Sequence, residues 1–167
     1  MGEPDGEDRR TRIAELLLRL RRVGITDQRV MRAIESIPRD VFVEAERRGE
    51  AYAERALPID CGQTISAPVV VGMMTAALRP EPDDRILEVG TGSGYQAAVL
   101  SKLCDRVYTV DRHRQLVRAA RDVFEELGLH TITAITDITP ASLRDPTMPA
   151  TGMTQWAVSG GGVQLWG

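Results

Sequence analysis

Apolar positions in the first third of the chain recur at helical spacing. Ile13, Leu16, Leu17 and Leu20 fall on one stripe with arginines opposite, which predicts a helix over 9–23. Gly24 ends it. Val30, Met31 and Ile34 mark the apolar side of a second helix, capped by Thr26 or Asp27 and stopped by Pro38. Val41-Phe42-Val43 is a short apolar anchor ahead of the charged stretch 44–50, and 51–57 is mixed enough for a turn of helix. Residues 58–68, PIDCGQTISAP, carry a glycine, two prolines and few charges. A loop this apolar should lie against something. A helix over 69–78 follows, with Pro68 in its first turn.

From residue 83 the period changes. Ile86-Leu87-Glu88-Val89 is a short apolar run bounded by Asp83-Asp84 and Gly90, as in a buried strand of a parallel sheet. Gly90, Gly92 and Gly94 come next at alternate positions, and a helix is predicted over 96–103. A strand over 106–110 leads to Asp111, then a helix over 114–127 turns Leu116, Ala120, Val123, Phe124 and Leu127 inward ahead of Gly128. A third strand, 131–135, precedes Asp137. Strand and helix alternate, so the fold class is α/β with a parallel sheet. Residues 1–8 contain nothing apolar beyond Met1 and read as disordered. In 138–167 no helical period appears, and 155–159 reads as one short strand.

Strand, glycine turn and helix together form the entry to a nucleotide site. Glycines permit positive φ and close approach of a ligand, and the helix that follows offers unpaired N–H groups. A dinucleotide fingerprint is spoiled by Tyr95 in the place of its last Gly or Ala, and no Gly-Lys-Ser/Thr follows as a P-loop requires. A ligand without phosphates fits better. Glu88 and Asp111 suit S-adenosylmethionine, a cation with ribose hydroxyls and no phosphate. Asp111 lies at roughly the ~20-residue interval from the turn at which a ribose-binding acid is found. The structural alternatives are a Gly-rich turn without a ligand, a helix cap for Asp111, and a helix cap for Ser66 or Thr64 at the start of 69–78. The last is favoured by the residues alone over a hydroxyl presented to substrate by a loop that closes on the ligand.

Composition narrows the picture without redirecting it. The chain has 167 residues, 43% hydrophobic and 27% charged, enough for one domain. A net charge of −3 gives no electrostatic argument for nucleic acid or an anionic membrane, and the arginines of 9–23 read as a solvated face. No apolar run approaches the ~18 residues of a membrane helix. The acidic, polar MGEPDGEDRR does not read as a secretory signal, so none is expected. Cys61 and Cys104 lack metal-type spacing, so a reducing, cytoplasmic setting is expected. His113 and His130 are the only histidines and read as surface residues, so no metal site is expected.

Four stretches together resemble one family. ITDQRVMRAIESIPRDVFV at 25–43, ALPIDCGQTISAP at 56–68, RILEVGTGSGYQAAVL at 85–100 and VYTVD at 107–111 resemble the protein-L-isoaspartate O-methyltransferases, a branch of the S-adenosylmethionine-dependent methyltransferases. The glycine motif marks only the superfamily; GQTIS after PRDVFV is far more specific. The resemblance runs from about Ile13 to Asp137. It implies a Rossmann-like sheet with helices on both faces and an N-terminal helical addition. It implies methyl transfer from S-adenosylmethionine to the carboxylate of L-isoaspartyl residues in damaged proteins, with repair through a succinimide. By the same resemblance Ser66 is the active-site serine, and Gln63, Thr64 and Ile65 form the loop over the cofactor. Glu88 and the turn Gly90, Thr91, Gly92, Ser93 and Gly94 hold the cofactor, Asp111 its ribose, and Asp137 lies near the adenine.

The domain boundaries follow: helices over 9–57, an active-site loop over 58–68, a cofactor core over 83–137, and a divergent tail over 138–167. Around Asp137 the family's two glycines are replaced by Thr136 and Ile138, and the later strands of the family are not recognisable. The C-terminal strands are therefore expected to be incomplete, leaving an apolar edge and either lower stability or weak dimerisation of an otherwise monomeric chain. The partners expected are isoaspartyl peptides and proteins, with neither nucleic acid nor membrane. Two other functions stay open: an inactive homologue that retains partial cofactor binding, and a methyltransferase for another small acceptor. Ser66→Ala distinguishes a catalytic serine, which lowers transfer far more than cofactor affinity, from one that only builds the pocket.

Overall fold

The computed structural model describes residues 6–136 and 155–158. Residues 1–5 of the expected disordered start, Asp137 and the rest of 138–167 lie outside the described residues. Helix α1 (Gly6–Arg22) begins ahead of the expected Arg9. Asp8 sits in its first turn and pairs with Arg12 one turn on, which supports a helix start there. Leu16 and Leu20 are buried, with Ile13 and Leu17 beside them. Gly24, at φ +91°, closes the helix, as the Gly24 N–H reaches the Arg21 carbonyl and the Ile25 N–H the Leu20 carbonyl, each at 3.0 Å.

Of the two capping candidates for α2 (Gln28–Ser36), Asp27 caps, its Oδ1 accepting the Arg29 N–H at 2.8 Å. Short 3-10 turns follow at Arg39–Phe42 and Ala45–Glu50. The expected helical turn over 51–57 does not form. Ala51 and Tyr52 go into the core instead, and Leu57 opens a strand. That strand, β1 (Leu57–Pro58), pairs antiparallel with β2 (Thr64–Ile65), Leu57 opposite Ile65. Cys61 and Gly62, at φ +59° and +65°, reverse the chain between them. Helix α3 (Pro68–Leu78) crosses α1 closely, since a Cβ at Gly72 would collide with Leu20.

The sheet contains β3 (Arg85–Val89), β4 (Arg106–Asp111), β5 (Ile132–Thr136) and β6 (Gln155–Val158). Its order is β5-β4-β3-β6 with every pairing parallel. Helices α4 (Tyr95–Leu100) and α5 (Arg114–Glu126) connect β3 to β4 and β4 to β5. Helix α4 stops short of the expected Leu103 because its end tightens, with the Leu103 N–H on the Leu100 carbonyl at 2.9 Å. Side chains alternate across the sheet. Ile86, Val107 and Ala134 join the main core with the helices, while Leu87, Tyr108 and Val110 form a second cluster with Val89 and Ile135. The strand order reverses at β3, and the crevice at the carboxyl end of such a strand is where open α/β sheets bind ligands.

Candidate functional site

The turn after β3 has the conformation its glycines anticipate. Gly90, Gly92 and Gly94 all have positive φ, at +100°, +53° and +89°. The N–H groups of Gly90 and Thr91 both reach the Val110 carbonyl, at 2.8 and 3.1 Å, so the turn folds back over β4. Gly94 has a packing reason as well: a Cβ there would stand 2.8 Å from Phe124 of α5.

Asp111 ends β4 beside the turn, with a side chain only 9% exposed. Its Oδ2 accepts the Gly92 N–H at 3.0 Å, and its Oδ1 accepts the His113 N–H at 2.9 Å. Asp111 is therefore not the cap of the next helix, where His113 holds the capping position without a side-chain bond; it fixes the residue just ahead of that helix. Oδ2 keeps a second lone pair for a ribose hydroxyl, whereas Oδ1 is contacted by both nitrogens of His113. His113 is half-buried, its ring nitrogen Nδ1 at 3.1 Å from the same carboxylate, rather than a free surface residue. Glu88 is fully buried and lies outside the pocket lining. It accepts the Thr109 hydroxyl at 2.5 Å, and Thr109 is paired with the Thr91 hydroxyl at 2.8 Å.

The hairpin β1–β2 brings the loop over the turn. Gln63, Thr64, Ile65 and Ser66 share an open cleft with Gly90, Thr91, Gly92, Ser93 and Asp111. Ser66 is not the cap of α3, contrary to the reading favoured by the residues alone. Ala67 holds the capping position without a side-chain bond, and Glu54 accepts the Val69 N–H at 3.3 Å. The Ser66 hydroxyl is thus not engaged in capping and lines the cleft.

Of the expected residues, the structure brings the loop, the turn and Asp111 together. Glu88 and Gly94 stand behind the cleft, and Asp137 lies outside the described residues. Three lining residues escaped the sequence reading: Val71, Tyr95 and Gln96. Their signal was position, one turn into α3 and at the start of α4. Tyr95 is buried, which pushes its phenol up to about 12 even though the neighbouring Arg39 guanidinium works the other way. Among the described residues Asp111 is the sole carboxylate of the lining, and no lysine or arginine lines it. Among the described residues no cluster of His, Cys, Asp and Glu is suited to a metal, both cysteines are unpaired, and no helix is long and apolar enough to cross a membrane.

Comparisons with known proteins agree with this architecture. A family model described as protein-L-isoaspartate(D-aspartate) O-methyltransferase matches residues 11–138. A protein-L-isoaspartate O-methyltransferase of Cereibacter sphaeroides is 56% identical over 133 residues, covering 80% of this chain and 61% of that protein. One from Roseobacter denitrificans is 57% identical over 122 residues, covering 73% of this chain and 57% of that protein. The chain thus spans about three-fifths of the length of these curated relatives. Among solved structures, a protein-L-isoaspartate O-methyltransferase superimposes with a TM-score of 0.73 at 22% identity, over 87% of this chain and 47% of its own. A Plasmodium falciparum protein of the same description, solved with S-adenosyl-L-homocysteine, has a TM-score of 0.66 at 22% identity, over 78% of this chain and 67% of its own. At that identity the likeness concerns the fold.

Proposed function

This chain belongs to the protein-L-isoaspartate(D-aspartate) O-methyltransferase family, and from that premise we propose that it transfers a methyl group from S-adenosylmethionine to the carboxylate of L-isoaspartyl residues in damaged proteins. The observation that carries the reading is the shared cleft: Ser66 on one wall, the glycine turn and Asp111 on the other. The lining fits the donor. Among the described residues the lining holds one carboxylate and no lysine or arginine, which suits a cationic ligand with sugar hydroxyls better than one with phosphates. The curated relatives carry the same activity in their names.

When bound, S-adenosylmethionine supplies an electrophilic methyl on a sulfonium. The chain's own residues then have three tasks. Asp111 accepts hydrogen bonds from the ribose, and the turn 90–94 lets the donor approach the backbone. Gln63, Thr64 and Ile65 cover it, while the Ser66 hydroxyl orients the acceptor carboxylate. Neither a base nor an acid is needed, because that carboxylate is ionised near neutral pH. Alignment of oxygen, methyl carbon and sulfur carries the rate. Asp137 would complete the adenine side. The two unpaired cysteines accord with a reducing, cytoplasmic setting.

The test is methyl transfer to an isoaspartyl peptide set against its aspartyl twin. Transfer to the first alone is the expected result; transfer to neither, or equally to both, overturns the reading. A second reading is binding of the donor without transfer. Calorimetric binding of the donor combined with no transfer would select it.

A further inference from the structure

Arg39 is the largest fully buried side chain of the described residues, with 0% exposure, and the site above does not use it. Its guanidinium is a fork between two segments. Nε donates to the Ala51 carbonyl at 2.6 Å, and Nη2 donates to the Ser66 carbonyl, also at 2.6 Å. Its Cζ lies 4.8 Å from the centre of the Tyr95 ring. Tyr95 starts α4, directly after the glycine turn, and lines the cleft opposite Ser66. Arg39 therefore touches both walls from behind while lining neither.

Burial of a cation is costly without strong compensation. Here the hydrogen bonds run to two carbonyls and the guanidinium lies against the face of a ring, while burial lowers its pKa from the ordinary range. The Arg39 N–H is itself fixed by the Tyr52 hydroxyl at 3.2 Å, and that hydroxyl lies 3.3 Å from Asp40, which pairs with Arg9 of α1. So the backbone of Arg39 is anchored to the helical addition. Ser66 sits between the end of β2 and the cap of α3, where no ladder bond holds it. A shift of about 1 Å at such a position costs on the order of 100-fold in rate.

We infer that Arg39 is a positioning residue for methyl transfer: its fork sets where Ser66 stands relative to Tyr95 and the glycine turn. This rests on the reading of Ser66 as the residue that orients the acceptor carboxylate. A lysine in its place keeps the charge but has no planar fork to satisfy both carbonyls.

The experiment is Arg39→Lys in the wild-type chain and in Ser66→Ala, with kcat and KM for an isoaspartyl peptide and hydrogen exchange along the chain. The expected result is a kcat loss of at least about 10-fold with Ser66 present and less than about 2-fold with Ser66→Ala, as expected for residues acting through one another. Exchange should speed up in 57–67 and stay unchanged in β3 and β4. An equal kcat loss in both backgrounds overturns the inference, as does exchange that is unchanged or accelerated uniformly. If the wild-type chain transfers no methyl, the functional reading fails, and the exchange pattern alone decides whether Arg39 fixes the Ser66 segment.

Discussion

The Oδ2 of Asp111 accepts the Gly92 N–H at 3.0 Å, so the acid that closes β4 also fastens the turn that leaves β3. Replacing Asp111 with Asn keeps the size but exchanges one acceptor for a donor that faces other donors. The expected outcome is at least about a 10-fold weaker affinity for S-adenosylmethionine, the loss of one or two hydrogen bonds to a charged group. Calorimetry reads it directly; an affinity within twofold of wild type would remove Asp111 from the binding site.

Gly94 and Gly62 both have positive φ but differ in what surrounds them. A Cβ at Gly94 would stand 2.8 Å from Phe124 and 3.0 Å from Ala120, whereas one at Gly62 would meet nothing within 4 Å. Gly94→Ala should cost about 2–4 kcal/mol, backbone strain and overpacking combined. Gly62→Ala should cost about 1 kcal/mol, backbone strain alone. Urea melts of the two variants decide it, and Phe124→Leu should recover part of the Gly94→Ala loss.

The two thiols should react at very different rates. Cys61 is exposed on the loop, while burial pushes the Cys104 thiol up to about 12. Only the thiolate is alkylated. With iodoacetamide at pH 8, peptide mass spectrometry should find Cys61 modified and Cys104 protected until the chain is unfolded. Comparable labelling of both in the native protein would contradict the described packing around Cys104.

Stability should fall steeply in alkali. Tyr95 and Cys104 both ionise near 12 in the folded chain, above their ordinary values. Their contributions are complete below the ordinary ionisation of thiol and phenol and are lost as pH rises through about 12. Thermal melts should show a flat Tm to about pH 9 and a steep fall between about 10 and 12. Tyr95→Phe should flatten part of that fall, and a slope equal to wild type would refute the assignment to Tyr95.

Much of this molecule follows from local pattern. The stripe Ile13, Leu16, Leu17 and Leu20, the turn Gly90 to Gly94, and the acid after Val110 each state their structure within a few residues. The corrections come from tertiary context. Whether Ser66 caps α3 depends on Glu54, which reaches the Val69 N–H from a different segment. Whether 51–57 forms a turn of helix depends on a core that takes Ala51 and Tyr52. Glu88 reads as a ligand from its place in the motif, yet strand alternation points it into the core. Arg39 enters the sequence reading only as a letter of PRDVFV, because a fork between two distant carbonyls leaves no local trace.

Beneath the glycine turn, Thr91, Thr109 and Glu88 form a buried polar stitch between β3 and β4. Thr91 belongs to the turn itself, so the stitch fastens the turn to both strands from within the fold. The cradle is therefore cast at folding, and an arriving nucleoside meets a finished shape. Whatever accommodation occurs falls to the hairpin above, where Thr64 still faces solvent.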